Sequence, residues 1–281
     1  MLHFVAPHRT KRAGRPRNRR SAWAVRGGLP RAASLSLALA GFLLPFAAWC
    51  MVSGAGWVDP VFLPTPLQVV ERCLDWFRSD GLTGDIGISI GRVFGGFFAS
   101  ALVAIPLGVL IGAYAPVRSF FEPLTDFSRY LPAVAFIPLI MLWVGIDESA
   151  KLSVIWIGTF FQMVLMLAED IARVPNAPIE AARTMGATNG EIVKHVLIPA
   201  ARPAMLDTLR STMGLAWTYL VVAELVAANS GLGFSILKAQ RFLQTDKIFV
   251  GILLIGLIGL LTDQAFRWLH RRCFAWHNAR S

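Results

Sequence analysis

The sequence predicts an all-α integral membrane protein with six membrane-spanning helices. Of its 281 residues, 55% are apolar and only 16% are charged, whereas a soluble domain carries about 25% charged residues. Uncharged apolar stretches of roughly 20 residues recur along the chain, the length an α-helix needs to cross a bilayer. The formal charge of +10 is distributed as a topology signal: nine Lys and Arg lie between Arg9 and Arg31, and the first acid is Asp59. Such a gradient marks a cytoplasmic flank of a membrane span, not a nucleic-acid-binding face.

Residues 1–33 are basic and rich in Pro and Gly, and read as a disordered cytoplasmic N-terminus. The first span is predicted over 34–53. It is too long for the apolar core of a signal peptide, and Trp49 stands before Cys50 where a lipoprotein signal needs a small residue. Residues 54–84 form a polar excursion, expected to be periplasmic. Within it, Leu67, Val70, Leu74 and Phe77 recur at helical spacing opposite Glu71, Arg72 and Asp75, so 66–78 reads as an amphipathic helix at the interface.

The core, 85–270, opens with a second span over 86–114, long enough to tilt. A third span, 120–145, opens with Pro123 and is broken by Pro132 and Pro138. The fourth is 151–167, the fifth 203–228 and the sixth 248–269, with a charged segment at 168–202 and a loop at 229–247. Residues 271–281 are a basic tail. Six spans put both termini on one side, and the basic N-terminus makes that side cytoplasmic. The 168–202 segment then faces the cytoplasm too.

Local signals shape that segment. Asn176 and Pro178 start a helix running through 179–185. Gly186 can end it in a left-handed conformation. Thr188 with Glu191 forms a capping box for a second helix over 189–197. Pro199 and Pro203 are expected to stop that helix and start the next span. Ala181 and Ala182 keep one face flat, so that another protein's surface can approach.

The segment reads Glu180-Ala181-Ala182, three residues, Gly186, nine residues, then Val196-Leu197-Ile198-Pro199. Here the chain resembles the permease subunits of bacterial ABC importers, whose cytoplasmic loop reads Glu-Ala-Ala, three residues, Gly, nine residues, Ile-x-Leu-Pro. Val196 for Ile and Ile198 for Leu are the departures. The resemblance implies the six-helix type I (MetI-like) importer permease fold in a bacterial inner membrane. It also implies that the helix pair docks in a groove of a separate ABC ATPase subunit, with Glu180 as polar anchor, Gly186 as turn and Pro199 closing the motif. The implied assembly is a permease homodimer with two ATPase copies and a periplasmic solute-binding protein.

Two further stretches, Leu142 to Lys151 and Ala223-Glu224-Leu225-Val226-Ala227-Ala228 with Gly231-Leu232-Gly233, are similar to permeases for aliphatic sulfonates and to the nitrate, sulfonate and taurine group. They imply a small oxyanion as cargo, chosen by the binding protein. The chain has no Gly-x-x-x-x-Gly-Lys-Ser/Thr phosphate loop, so ATP hydrolysis is expected from another polypeptide. Catalytic residues, a cofactor and a metal site are not expected: the five His form no His-Glu-x-x-His pair, and Cys50, Cys73 and Cys273 have no ligand spacing. The competing reading, an ion-coupled secondary transporter, predicts paired intramembrane acids or an inverted repeat. The sequence shows neither.

An ionisable group in mid-membrane costs roughly 2.5–3.5 kcal/mol and asks for a reason. Glu224 either lines or gates the passage, or bonds backbone groups of the Gly-rich loop after it. Arg92 is expected to snorkel to the headgroups. Gln162 and Thr218 either line the path or bond between helices. Gly91-x-x-x-Gly95 and Gly108-x-x-x-Gly112 permit close helix contact.

Overall fold

The computed structural model describes residues 29–79 and 81–275. Most of the N-terminal tail, Asp80 and the end of the basic tail therefore lie outside the described residues. The described elements are all helical: α1 (Arg31–Gly54), α2 (Pro66–Ser79), α3 (Leu82–Ala113), α4 (Ala115–Arg129), a 3₁₀ turn (Ala133–Phe136) and α5 (Ile137–Val144). There follow α6 (Glu148–Ala172), α7 (Asn176–Thr184), α8 (Asn189–Ile192), a π-turn (Val193–Leu197), α9 (Ile198–Ala227), α10 (Leu232–Arg241) and α11 (Thr245–Cys273).

Small residues decide how closely the central helices meet. Along α3, Gly96, Ser100, Ala104, Gly108 and Gly112 recur every four residues and turn one face toward α6. A methyl group at Gly108 would fall 2.6 Å from Leu167 Cβ, and one at Gly112 would fall 2.6 Å from the Ala168 carbonyl oxygen. Helices approach this closely only where no side chain intervenes. The sequence pattern gives Gly91 a share in this role, but Gly91 has nothing around it. Gly96 takes its place in the contact. On the other face of α6, Gly158 lets the Tyr219 ring of α9 lie against its backbone, within 2.3 Å of where a Cβ would be. Val93, Phe97, Ile155, Met163, Leu167, Met213 and Leu220 fill the core between α3, α6 and α9.

The outer helices attach by fewer contacts. The Trp217 indole of α9 donates to Thr262 of α11 at 3.1 Å. Trp49 holds α1, donating to the Pro64 carbonyl at 3.0 Å and stacking on Phe249 at 5.4 Å. Helix α2 matches the predicted bounds, yet its expected apolar stripe of Leu67, Val70, Leu74 and Phe77 is exposed. Val69 and Trp76, one helical stripe away, are buried with Val250 of α11.

By length and apolarity alone, α1, α3, α6 and α11 can cross a membrane. The expected third span is two pieces: 115–128 and 133–144 meet at a bend of 87°. Pro132 explains the break, because it lacks an N–H and forces Leu131 out of the helical region. Pro138 does not break anything; it sits in the first turn of α5, where its missing N–H is harmless. The stretch expected as a loop, 229–247, contains α10. At 30 residues α9 is about 45 Å long, with Arg202, Asp207, Arg210 and Glu224 spread along it.

The packing predicts that Gly112→Val, which drives a branched side chain into the α6 backbone, destabilises the protein by about 1–3 kcal/mol. Gly91→Ala should be silent. Thermal unfolding of the detergent-solubilised protein checks the pair.

Candidate functional site

Helices α7 and α8 form a compact knuckle beyond the C-terminal end of α6. The α7 terminus closes as a Schellman motif. The Gly186 N–H donates to the Arg183 carbonyl at 2.9 Å and the Ala187 N–H to the Ala182 carbonyl at 3.1 Å. Gly186 has φ +83°, which glycine adopts without strain. Thr188 then caps α8: its N–H donates to Glu191 Oε2 at 2.8 Å, and its Oγ1 accepts from the Glu191 N–H at 3.4 Å. The backbone bond from Thr188, with its hydroxyl second, holds the Glu191 carboxyl below its ordinary value.

Glu180 and Ala181 are exposed on the knuckle. Ala182 is not: it is buried against the core with Ile192 and Leu197. The flat outer face therefore belongs to Ala181 alone, and Ala182 is a packing residue. Pro199 and Pro203 do not stop the second helix either. The π-turn carries α8 into α9, with the Ile198 N–H reaching back to the Val193 carbonyl. Widening one turn removes the carbonyl that the Pro199 ring would strike, and Pro199 then falls in the first turn of α9.

A cavity of about 490 Å³ opens between α4, the 3₁₀ turn, α6 and α9. Gly158, Phe161 and Gln162 of α6 face Thr212 and Tyr219 of α9 across it, with Phe136 on the third side. None of its described lining residues is charged. Of the three expected path residues, only Gln162 borders it. Thr218 is exposed nearby on α9, its hydroxyl 3.4 Å from the Gly214 carbonyl.

Glu224 lies elsewhere, at the end of the bundle where α6 begins. Its carboxylate is fully buried and pairs with Arg92 Nη1 at 2.7 Å. Arg92 does not snorkel. Its side chain is 3% exposed, and all five of its N–H groups are engaged. Nε and Nη2 take Glu148 as a fork at 2.7 and 2.6 Å, while Nη1 and Nη2 also reach the Ser230 carbonyl at 2.6 Å and hydroxyl at 3.2 Å. Lys151 completes the cluster, 2.8 Å from Glu148. Two cations thus balance two carboxylates.

Glu224 also caps α10, together with Asp85 and Ser89. The N–H groups of Gly231, Leu232 and Gly233 donate to Asp85 at 2.9 Å, Ser89 Oγ at 2.9 Å and Glu224 at 2.7 Å. These are the donors a helix start leaves unsatisfied. A Cβ on Gly231, whose φ is +105°, would lie 2.3 Å from Glu224 Oε1. The sequence signal for this cluster is the Gly-x-Gly after an acid, but the partner of Glu224 lies 132 positions upstream.

A family model described as "Binding-protein-dependent transport system inner membrane component" matches residues 104–274. The taurine transport system permease protein of Escherichia coli (strain K12) is 34% identical over 92% of this chain and 95% of its own. A protein of Bacillus subtilis (strain 168) named for aliphatic sulfonate transport is 35% identical over 85% of this chain and 88% of its own. Among solved structures, the MetNI methionine ABC transporter in inward-facing conformations contains a chain that superposes with TM-score 0.57. The two are 23% identical, over 66% of this chain and 94% of that one.

Two outcomes test the site geometry. Arg92→Met strands the Glu224 carboxylate inside the bundle and is expected to cost about 3–5 kcal/mol, read as a lower unfolding temperature in detergent. Because the Glu191 carboxyl is stabilised in its charged form, its capping contribution is complete above its ordinary value and is lost as pH falls through the lower folded one. Protection factors of the 189–192 amides, each rate normalised to its intrinsic value, should therefore be higher at pH 7 than in acid, and Glu191→Gln should abolish that pH dependence.

Proposed function

The chain belongs to the binding-protein-dependent inner-membrane components of ABC importers, as a permease subunit, and from that premise we propose how its parts work. The α7–α8 knuckle is the contact for a separate ATPase subunit, with Glu180 as the polar anchor and Gly186 as the turn that sets the helix angle. What carries this reading is the geometry of the knuckle: two capped helices present Glu180 and Ala181 outward, and the second runs without a stop into α9. Motion imposed at the knuckle would thus reach the bundle through one continuous helical path.

In this assembly α9 is the remaining span, and two copies of the chain pair around the path with two ATPase subunits. The termini and the knuckle face the cytoplasm, while the Arg92–Glu224 cluster faces the periplasm and a solute-binding protein. The basic flank before α1 supports that orientation. Gln162 is the path residue, since it borders the mid-bundle cavity. Glu224 acts as a lock, not a lining group, because it is buried and paired. The cargo is a small oxyanion such as a sulfonate, taurine or nitrate. Its support is the similarity to relatives named for taurine and aliphatic sulfonate transport.

In reconstituted transporter, Glu180→Ala and Gly186→Val are each expected to lower uptake per ATP hydrolysed by about tenfold, within the range of ordinary coupling energies. Both proteins should still insert at normal levels. Unchanged uptake in both variants, or labelling of a cysteine placed at 185 from the periplasmic side, would overturn the assignment.

A further inference from the structure

The 490 Å³ cavity has a chemistry that the knuckle and the ion cluster do not share. Its size suits a small ligand, and its described lining carries no charge of either sign. Most of its hydroxyls are already committed as donors. Ser128 donates to the Thr125 carbonyl, Ser211 to that of Asp207 and Thr212 to that of Thr208, each at 2.9 Å. Gln162 and Tyr219 are different. Among the described residues, neither the amide nor the phenol has a hydrogen-bond partner. The Gln162 amide is exposed at the cavity and Tyr219 is half-buried, so both polar ends are open to a ligand there.

Tyr219 also owes its place to the opposite helix. Its ring lies on the Gly158 backbone, where a Cβ would come within 2.3 Å of it. We infer that Gln162 and Tyr219 are the cargo-contacting donors of this permease, holding a small oxyanion between α6 and α9 through neutral hydrogen bonds, and that Gly158 is the seat that positions Tyr219. This rests on the permease reading and adds the residues that touch the cargo. Neutral donors suit a transient hold, because a fixed cation would grip an anion tightly and conduction requires a grip that also lets go.

The test uses the complete transporter, with its ATPase and binding protein, in proteoliposomes supplied with taurine, methanesulfonate or nitrate. Tyr219→Phe and Gln162→Leu should each reduce uptake of the transported anion about two- to tenfold, the worth of one neutral hydrogen bond. Binding-protein-stimulated ATP hydrolysis should stay at the wild-type rate. Gly158→Ala should match or exceed the loss in Tyr219→Phe, yet add nothing in a Tyr219→Ala background. Wild-type uptake in both donor variants overturns this inference and leaves the permease reading intact. So does a parallel loss of uptake and hydrolysis, which marks a structural role. Stimulated hydrolysis without uptake of any of the three anions by the wild type overturns the anion class. Absence of stimulation in the wild type strikes the permease reading itself.

Discussion

A guanidinium set among apolar helices is tolerable only if every N–H finds an acceptor, and Arg92 meets that condition by drawing four parts of the chain together. Glu148 comes from the start of α6, Glu224 from the end of α9, and Ser230 from the turn before α10. Remove any of them and a buried charge or donor is left without compensation, which costs far more than the pair gains over an apolar contact. The cluster is therefore a constraint on arrangement more than a source of stability. It fixes which ends of α3, α6 and α9 lie side by side, and it holds the N-terminus of α10 against them.

The remainder of the bundle follows from a second condition, close approach. Once Arg92 sets the register of α3 against α6, the glycines at 96, 108 and 112 fall where the α6 side chains need room. Gly158 does the same for Tyr219 on the opposite face. Glycine has two distinct uses in this chain. In α3 and α6 it gives space, whereas at Gly186 and Gly231 it supplies a left-handed backbone that ends or starts a helix.

Much of this was legible in the sequence because it is written locally. The apolar runs, the amphipathic stretch of α2, the Thr188–Glu191 box and the turn at Gly186 all depend on residues within a few positions of one another. What escaped depends on distance along the chain. Arg92 alone, near a helix end, reads as a snorkelling residue, since nothing nearby announces Glu148 or Glu224, 56 and 132 positions away. Pro199 reads as a stop because the rule for proline assumes an α-helix of constant pitch, and the π-turn before it breaks that assumption; Pro203 lies inside α9 itself. Helix α10 is hidden by its Gly-rich start and polar composition, and it owes its order to Asp85, Ser89 and Glu224 from elsewhere. Ala182 is misplaced for a related reason: spacing finds a small face but cannot say which small residue the core will claim.

The unbroken path from α8 through the π-turn to the end of α9 makes the two extremities of the molecule thermodynamic neighbours. Residues 189–227 behave as one rod of roughly 58 Å, anchored at its far end by Glu224. Binding free energies at the two tips of such a rod are linked reciprocally. Whatever factor a visitor bound beside Arg92 and Glu224 imposes on the affinity of the opposite tip for its holder, that holder must impose the same factor in return.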